Sequence, residues 1–450
     1  MKLAFLLWAA LVGIGVWMQG PPRSLAVAVQ EPKAGNHSSD KRVRKKPPDC
    51  TIPFFMGVDH YQKKDLNAAI IDFSCAAACN PSFVEAKIAL GDAFVAKGDD
   101  RRALEAYHAA LKLRPYEEDA LRPAAELCLR LESNAQAIPL LETLVRLHPA
   151  DTKTKTYLGI AYAATGQFQK AGQKLTEVHR IAPNDPAALV ALGALGLKTG
   201  RARSAIPLLL GAVRIVPDQY KPHFLLGSAY NCVGEFPDAV KELEIAAKLE
   251  PHNAEVQYQL AQAYEHLGFS VQRQEAIRRF KALKEQSKEN SDLRARGPSL
   301  LHEAESLAKD GKYMEAIEFA RKALSLDPGD DRVISLIANL YYDADQLDLA
   351  RRYAQEAVTK APSEWSYHYL LGLIEEATGQ MGPAHESFEI AVRLNPRCAK
   401  CYDRLGELAI RTHDSRRTVE KFERAVELDR ANSGYKVHLH TAYGAADQKP

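Results

Sequence analysis

Cysteine is the residue type in this sequence with the most evident chemical potential. The chain of 450 residues contains seven. Cys398 and Cys401 form a Cys-x-x-Cys pair at the start of a predicted helix, where the helix N-terminus lowers the pKa of a thiol. The pair could act in redox exchange, although we favour a structural disulfide or two thiols. Tyr402 stands where a c-type haem site has His, and no second pair of zinc ligands lies nearby, so we expect neither haem nor zinc here.

Histidine and acidic residues do not form a recognisable catalytic motif. His302-Glu303 and His385-Glu386 lack the second His of an H-E-x-x-H zinc site. The phosphate-binding motif G-x-x-x-x-G-K-[ST] and the nucleophile motif G-x-S-x-G are absent from the sequence. We therefore expect a protein that is not an enzyme and that uses no metal and no cofactor.

The charge of the chain is nearly balanced. Lys and Arg number 59 and Asp and Glu number 57, which gives a formal net charge of +2. A nucleic-acid-binding protein would show a basic excess or a basic stripe. We therefore do not expect nucleic acid as a partner.

Proline recurs every 34 residues across most of the chain. The recurrent positions are Pro81, Pro115, Pro149, Pro183, Pro217 and Pro251, followed by Pro328, Pro362 and Pro396. Pro251 and Pro328 are 77 residues apart, which is nine more than two periods. Because Pro lacks an N–H group and cannot continue a helix, each one is expected to end the second helix of a repeating unit.

Small residues occupy fixed positions in each unit. The eighth position holds Gly or Ala, as at Gly91, Gly159 and Gly372, and the twentieth holds Ala in most units. Small side chains at fixed helical offsets let two helix axes approach closely. Large apolar residues four positions apart, such as Leu158 and Tyr162, share one helix face and fill the remaining space.

This pattern resembles the tetratricopeptide repeat family, whose period is also 34 residues. The resemblance covers about 380 of the 450 residues, or roughly eleven units. It implies an all-α fold, a right-handed superhelical α-solenoid of tandem helix-turn-helix repeats. We expect seven repeats in residues 50–290, the last irregular, four repeats in 297–431, and a capping helix with a tail in 432–450.

The stretch between the two blocks breaks the period. After Gly268 the next helical Ala comes three residues late, at Ala276, and the charged segment 284–296 carries the remaining extra residues before Gly297 and Pro298. This joint is either a hinge or a lengthened loop or helix, and we favour the second interpretation.

Residues 1–26 resemble a targeting segment. Lys2 precedes a 16-residue apolar run, residues 3–18, and small residues permit cleavage after Ala26. The alternative is an uncleaved anchor that tethers the chain to a membrane through residues 3–18. Both place the repeats outside the cytoplasm, in the periplasm or secreted. The linker 27–49 contains Pro and a basic cluster, and is either a solvated tether or a segment attracted to anionic lipid.

Two further cysteines belong to the first unit. Cys50 opens its first helix and Cys79 closes its second. Antiparallel neighbouring helices bring these ends together, so we expect a Cys50–Cys79 disulfide, with Cys75 as the alternative partner for Cys50.

In the family, the first helices of the units line a concave groove that binds peptides or helices of other proteins. Carried over position by position, this resemblance predicts groove residues of two kinds. The aromatic residues are Phe224, Tyr258, Tyr342 and Tyr369, and the charged or polar ones are Glu126, Arg130, Lys221, Glu265, Asn339 and Lys400. Aromatic side chains give contact area and charges set register. Some of these residues could instead pack between units.

Three hypotheses for function follow. The first is a non-enzymatic scaffold outside the cytoplasm that binds proteins or peptides through its concave face. The second is a structural spacer of an envelope complex that assembles with itself as a homo-oligomer. The third is a redox or processing accessory that uses Cys398 and Cys401.

Overall fold

The computed structural model describes residues 50–411 and 415–446. In this part of the chain every regular element is a helix and no strand is present. The predicted leader 1–26 and linker 27–49 lie outside the described residues. Among the helices that are described, none has the length and apolar character needed to cross a membrane.

The first thirteen helices follow one another with short connections. They are α1 (Thr51–Gln62), α2 (Leu66–Cys79), α3 (Val84–Lys97), α4 (Asp100–Leu111), α5 (Glu118–Arg130), α6 (Asn134–Leu147), α7 (Thr152–Ala164), α8 (Phe168–Ile181), α9 (Pro186–Lys198), α10 (Ala202–Ile215), α11 (Tyr220–Val233), α12 (Phe236–Leu249) and α13 (Ala254–His266).

A longer helix and eight helices of the earlier length complete the described chain. They are α14 (Ser270–Lys309), α15 (Tyr313–Leu326), α16 (Asp331–Asp343), α17 (Leu347–Lys360), α18 (Trp365–Ala377), α19 (Met381–Leu394), α20 (Ala399–Arg411), α21 (Ser415–Leu428) and α22 (Ser433–Ala446). The tandem all-α architecture expected from the 34-residue period is confirmed.

The recurrent prolines end the second helices. Helices α6 and α8 end at Leu147 and Ile181, two residues before Pro149 and Pro183. The intervening residues, His148 and Ala182, have ψ angles of 77° and 79°, outside the helical range. The ring of a Pro clashes with a helical conformation of the preceding residue, so each Pro sets the point at which its helix stops.

Within each pair whose turn is described, the chain turns through one residue in the left-handed region. Seven of these residues are glycine, for example Gly166 with φ 80°. The equivalent turns of three other pairs hold side chains, at Lys64, Glu132 and Asp345, with φ of 62°, 58° and 58°. Left-handed backbone is unfavourable for residues with a Cβ, so these three turns carry local strain.

The small residues at the eighth position make room for a large residue of the paired helix. A Cβ built on Gly159 would lie 2.6 Å from Leu175 Cγ, and one on Gly372 would lie 2.6 Å from Phe388 Cε1. Leu175 and Phe388 are both fully buried. The glycines therefore set how closely α7 approaches α8 and how closely α18 approaches α19.

The joint between the predicted blocks is helical throughout. Helix α14 runs for 40 residues and contains Pro298. Its first part is the second helix of the seventh pair, and its last part is the first helix of the eighth. The charged segment 284–296 thus lies within a helix whose side chains in that stretch are mostly exposed.

The described residues form two compact units. Unit 1 comprises residues 114–291, and unit 2 combines residues 50–113 with 292–446. In unit 1 one apolar core extends from Ala194 to Ala276. In the described part of unit 2, apolar clusters are built around Ile337, Phe388 and Tyr367. The division of the repeats at 290 and 297 stays a prediction, because this grouping places the first two pairs with the last four.

Two disulfides are present in unit 2. One joins Cys50 and Cys79, whose Cα atoms are 5.6 Å apart, and links the start of α1 to the end of α2. The other joins Cys398 and Cys401. Cys75, the alternative partner, is a buried free thiol whose pKa is raised to about 12 by burial.

Candidate protein-binding surface

The first helices of the last two pairs carry aromatic and basic side chains that contact one another. Trp365 and Tyr369 are four residues apart on α18, and Lys400 and Arg404 are four apart on α20. This spacing places each pair of residues on one face of its helix. We call these four residues the aromatic–basic cluster.

Lys400 is the centre of the cluster. Its Nζ lies 4.1 Å from the centroid of the Tyr369 ring and 5.2 Å from that of Trp365. Such a position stabilises the ammonium group through the negative face of each ring. The side chain of Lys400 is exposed as a whole, but partial burial by the rings lowers its pKa. Among the described residues, no carboxylate lies within ion-pair distance of its ammonium group. The ammonium group is therefore held in place and still offers its charge to a partner.

Arg404 extends the cluster on the same helix face. Its guanidinium lies within hydrogen-bonding reach of the Tyr369 hydroxyl. It also pairs with Glu407 at 2.7 Å and with Glu376 at 3.9 Å. Burial raises the pKa of Tyr369, so its hydroxyl stays protonated and can donate a hydrogen bond. Arg404 is thus shared between the cluster and two carboxylates.

The Cys398–Cys401 disulfide lies in the apolar cluster on which this surface is built. The exposed fractions of Cys398 and Cys401 are 4% and 0%, and both pack in the apolar cluster with Leu405. The Cys398 Sγ also accepts a hydrogen bond from the Cys401 N–H at 3.2 Å. Because the disulfide spans Lys400, it fixes the first turn of α20, from which the ammonium group projects. Burial of both sulfurs limits their attack by an external thiolate.

An acidic pair and a histidine lie next to the cluster. His438 Nδ1 is 2.8 Å from Asp403 Oδ1, and His438 Nε2 is 3.9 Å from Glu407 Oε1. Their ligand-type atoms lie within 4.8 Å of one another, as a metal site requires. However, each imidazole nitrogen faces a different carboxylate, and Glu407 also accepts from Arg404. We assign this trio to holding α22 against α20.

Of the ten predicted groove residues, Tyr369 and Lys400 are the two that the structure brings into contact. Asn339 on α16 is exposed, and Tyr342 packs partly against the apolar core of unit 2. The sequence analysis missed Trp365 and Arg404. The sequence contained the information to predict them, because Trp365 is four residues from Tyr369 and Arg404 is four residues from Lys400.

The other six predicted residues lie in unit 1. Phe224 is only 6% exposed and belongs to the apolar core, so its ring offers little surface to a partner. Phe224 therefore packs among apolar neighbours, the alternative left open for some of the predicted groove residues, and its role in a groove stays a prediction. Tyr258 is half-buried, with its ring centroid 5.4 Å from that of Phe280 and its hydroxyl accepting from Gln262 Nε2 at 3.1 Å.

The charged members in unit 1 are partly satisfied by local ion pairs. Glu126 lies 3.9 Å from Lys153, and Glu265 lies 3.3 Å from Arg273. Arg130 is exposed at the end of α5. Lys221 is half-buried on α11, and burial lowers its pKa to about 7.

Comparison with known families identifies the repeats independently. Two family models described as tetratricopeptide repeat match the chain. One matches residues 307–374, and the other matches 88–152, 122–186 and 224–268.

Among curated proteins, the chain is similar to mouse (Mus musculus) tetratricopeptide repeat protein 33, with 29% identity over 123 residues. The match spans 27% of this chain and 45% of the mouse protein, so the chain covers less than half of that relative.

Among solved structures, the chain is similar to MamA residues 41–end from Desulfovibrio magneticus RS-1. The identity is 24%, the TM-score is 0.32, and the match covers 38% of this chain and 94% of that one. It is also similar to the Cut9–Hcn1 hetero-tetramer of APC/C, with 11% identity, a TM-score of 0.31, and coverage of 88% of this chain and 96% of that one.

Proposed function

Because the chain is a tetratricopeptide repeat protein, we propose that it is a non-enzymatic scaffold that binds segments of other proteins on the surface formed by its first helices. The observation that carries this proposal is the aromatic–basic cluster. It combines half-buried rings with an exposed ammonium group that has no carboxylate partner among the described residues. Aromatic and cationic anchors of this kind dominate the energetics of many protein interfaces.

The chemistry of the cluster favours an acidic segment as its partner. A carboxylate could pair with Lys400 while an apolar neighbour of that carboxylate packs on Trp365 or Tyr369. Charge complementarity of this type raises the association rate and selects the partner. Since Arg404 is already shared with two carboxylates, Lys400 is the residue expected to decide this preference.

A charge reversal tests the proposal. A photo-reactive amino acid at Trp365, in the full chain in its native host, should capture a partner protein. Lys400→Glu should abolish the capture, and peptides from the captured protein that bind in vitro should be acidic. The matched control is Lys322→Glu on α15, because Lys322 also stacks on a ring, with Nζ 4.9 Å from the Phe319 centroid, on a second helix. Equal capture by both variants would refute the role of the cluster.

A second candidate function is self-assembly. It is favoured by apolar side chains exposed on the two terminal helices of the described chain. On α1 these are Ile52, Phe55 and Met56, and on α22 they are Val437 and Tyr443. Sedimentation equilibrium measures this directly, because a scaffold that does not self-assemble keeps the monomer mass at all concentrations. The third candidate, a redox accessory, is disfavoured by the burial of Cys398 and Cys401.

We also propose that the repeats reside outside the cytoplasm. The support is the pattern of residues 1–26 together with the two disulfides, since structural disulfides persist in oxidising compartments. Thiol alkylation of the protein in intact cells, with and without a reductant, tests this. Four cysteines should become reactive only after reduction. Reaction of any of these four cysteines without reductant would contradict the proposal.

A further inference from the structure

In unit 2, residues that are more than two hundred positions apart form direct polar contacts. Arg102 Nη2, at the start of α4, lies 2.7 Å from Asp331 Oδ2, at the start of α16. Tyr367 on α18 donates its hydroxyl hydrogen to the same oxygen at 3.0 Å. Arg102 also lies 3.5 Å from Asp99 on its own helix turn. The Asp331 carboxylate is thus held by one residue from the second pair and one from the tenth.

A second contact lies beside the first. Lys97 Nζ, at the end of α3, donates to the backbone carbonyl of Thr359 near the end of α17 at 2.6 Å. It also donates to Asn67 Oδ1 on α2 at 2.7 Å. A carbonyl in the last turn of a helix has no partner within that helix, and it therefore accepts well from a cation.

A third contact joins the first pair to the tenth. Helix α2 packs against α19. Asp72 of α2 is only 3% exposed, and its carboxylate accepts from His60 Nδ1 at 2.7 Å and faces Arg393 of α19 at 3.8 Å. A buried carboxylate is costly unless it is paired, so this arrangement favours the docked position of α2.

From these three contacts we propose that the first two helix pairs, residues 51–111, act as a clasp that docks in cis on the ninth and tenth pairs. The outer surface of α16, α17 and α19 is therefore an interaction surface whose occupant is the N-terminal segment of the same chain. Beside the packing of α2 against α19, the clasp depends on polar contacts at partly exposed side chains, since Arg102 and Asp331 are 27% and 20% exposed. Contacts of this type weaken with salt and with single charge changes, so the clasp opens without unfolding the helix pairs.

The geometry explains why the clasp has one register. The guanidinium of Arg102, at the start of α4, contacts Asp331. The ammonium group of Lys97, at the end of α3, donates to the Thr359 carbonyl. The two cations lie on either side of the connection between α3 and α4, and both acceptors lie at helix ends of the ninth pair. A shift of the docked segment by one helical turn would break both contacts at once.

Distance measurements between two spin labels test the clasp in the full chain. The labels are placed on cysteines introduced at exposed Glu105 in α4 and exposed Lys360 at the end of α17, with the exposed native thiol removed by Cys232→Ser. The wild-type contacts predict one short-distance population. Arg102→Glu should remove this population, and the double variant Arg102→Glu with Asp331→Arg should restore it.

The matched control is Arg332→Glu. Arg332 is adjacent to Asp331, but its guanidinium pairs with Asp330 within the same turn, at 2.9 Å. It should leave the short-distance population unchanged. A short-distance population that persists in Arg102→Glu, or an equal loss in Arg332→Glu, would overturn the proposal.

Two measurements guard against misfolded variants. Tyr367→Phe removes only the hydroxyl that donates to Asp331 and should reduce the short-distance population in part. The doubly labelled protein without any substitution in the clasp should also lose the short-distance population in 1 M salt, while its helical circular dichroism is retained. A short-distance population that is insensitive to salt would count against the clasp. In mixtures of singly labelled chains, a short distance between different chains would contradict docking in cis.

Discussion

Three left-handed turn residues with side chains are the clearest single-residue departures from the repeat pattern. Lys64, Glu132 and Asp345 have positive φ where other pairs have glycine. A non-glycine residue pays about 1 kcal/mol or more for this conformation. The structure shows that the turn geometry is retained although none of the three is glycine.

We expect Glu132→Gly to raise the free energy of unfolding of unit 1 by about 1 kcal/mol, because glycine relieves the left-handed strain. The gain is reduced by the larger conformational entropy of glycine in the unfolded chain. Urea denaturation followed by circular dichroism measures the change. The reverse variant, Gly166→Ala at φ 80°, should be destabilising, and a stabilising effect there would contradict the explanation.

Lys221 makes stability depend on pH. Burial lowers its pKa in the folded protein from the ordinary 10.5 to about 7. Between pH 7 and 10.5 the unfolded chain therefore binds more protons at this site than the folded chain does. The contribution of Lys221 to stability therefore rises with pH in this window, because raising the pH favours the state that holds fewer protons.

The variant Lys221→Met should accordingly flatten the rise of the urea midpoint between pH 7 and pH 9.5. The exposed Lys241→Met on α12 is the matched control and should leave the rise unchanged. Parallel midpoint curves for the two variants would show that Lys221 titrates with its ordinary pKa in the folded protein.

At the scale of the element, close approach of paired helices depends on the eighth-position glycine. We expect Gly159→Ala to lower the free energy of unfolding by about 1–3 kcal/mol, because the added Cβ would overlap Leu175, which is fully buried. Thermal or urea unfolding of the full chain gives this value.

The control is Gly172→Ala on the neighbouring helix α8. A Cβ there would meet Leu195 Cδ2 at 3.7 Å, an ordinary contact distance. Alanine has the higher helix propensity, so this variant should be neutral or stabilising by up to about 1 kcal/mol. If Gly172→Ala were as destabilising as Gly159→Ala, the cause would be the backbone and not the close approach.

Much of the fold could be predicted from sequence because its determinants are local. The Pro after most second helices, the Gly at most turns and the small residue at each close approach act within one 34-residue unit. The aromatic–basic cluster was predicted in part, through Tyr369 and Lys400, because adjacent units place equivalent first-helix positions side by side. The helical character of 284–296 was left open, since a charged segment without an apolar stripe has no clear periodicity.

Other features could not be predicted because they depend on distant residues. Arg102 and Asp331 are 229 positions apart, and neither departs from the composition of an ordinary solvent-exposed helix end. The burial of Phe224 likewise depends on how three successive helices meet, and a position-by-position transfer from the family does not contain that information.

At the scale of the whole molecule, the clasp adds a long-range contribution to stability that a simple repeat array lacks. In such an array each unit contacts only its neighbours, and stability is a sum of local terms. Polar contacts between α2–α4 and α16–α19 make the first pairs depend on the last ones. The two chain segments of unit 2 should therefore be protected from hydrogen exchange to a similar extent.

Hydrogen exchange measures this dependence. In the wild-type protein, amides of α2 and α4 should exchange at rates close to those of α16 and α18. Arg102→Glu should make α2 and α4 exchange faster while α20 and α21 are unaffected. Uniformly faster exchange across unit 2 would instead indicate general destabilisation.

The separation of Arg102 from Asp331 also has a consequence for biosynthesis. A ribosome adds about 5–20 residues per second, so 229 residues take on the order of tens of seconds. Successive helix pairs can fold together as they emerge, because their contacts are with near neighbours in the chain. The surface of α4 that carries Arg102 must wait for α16 before it is covered, so in every nascent chain it is open to chaperones for that interval.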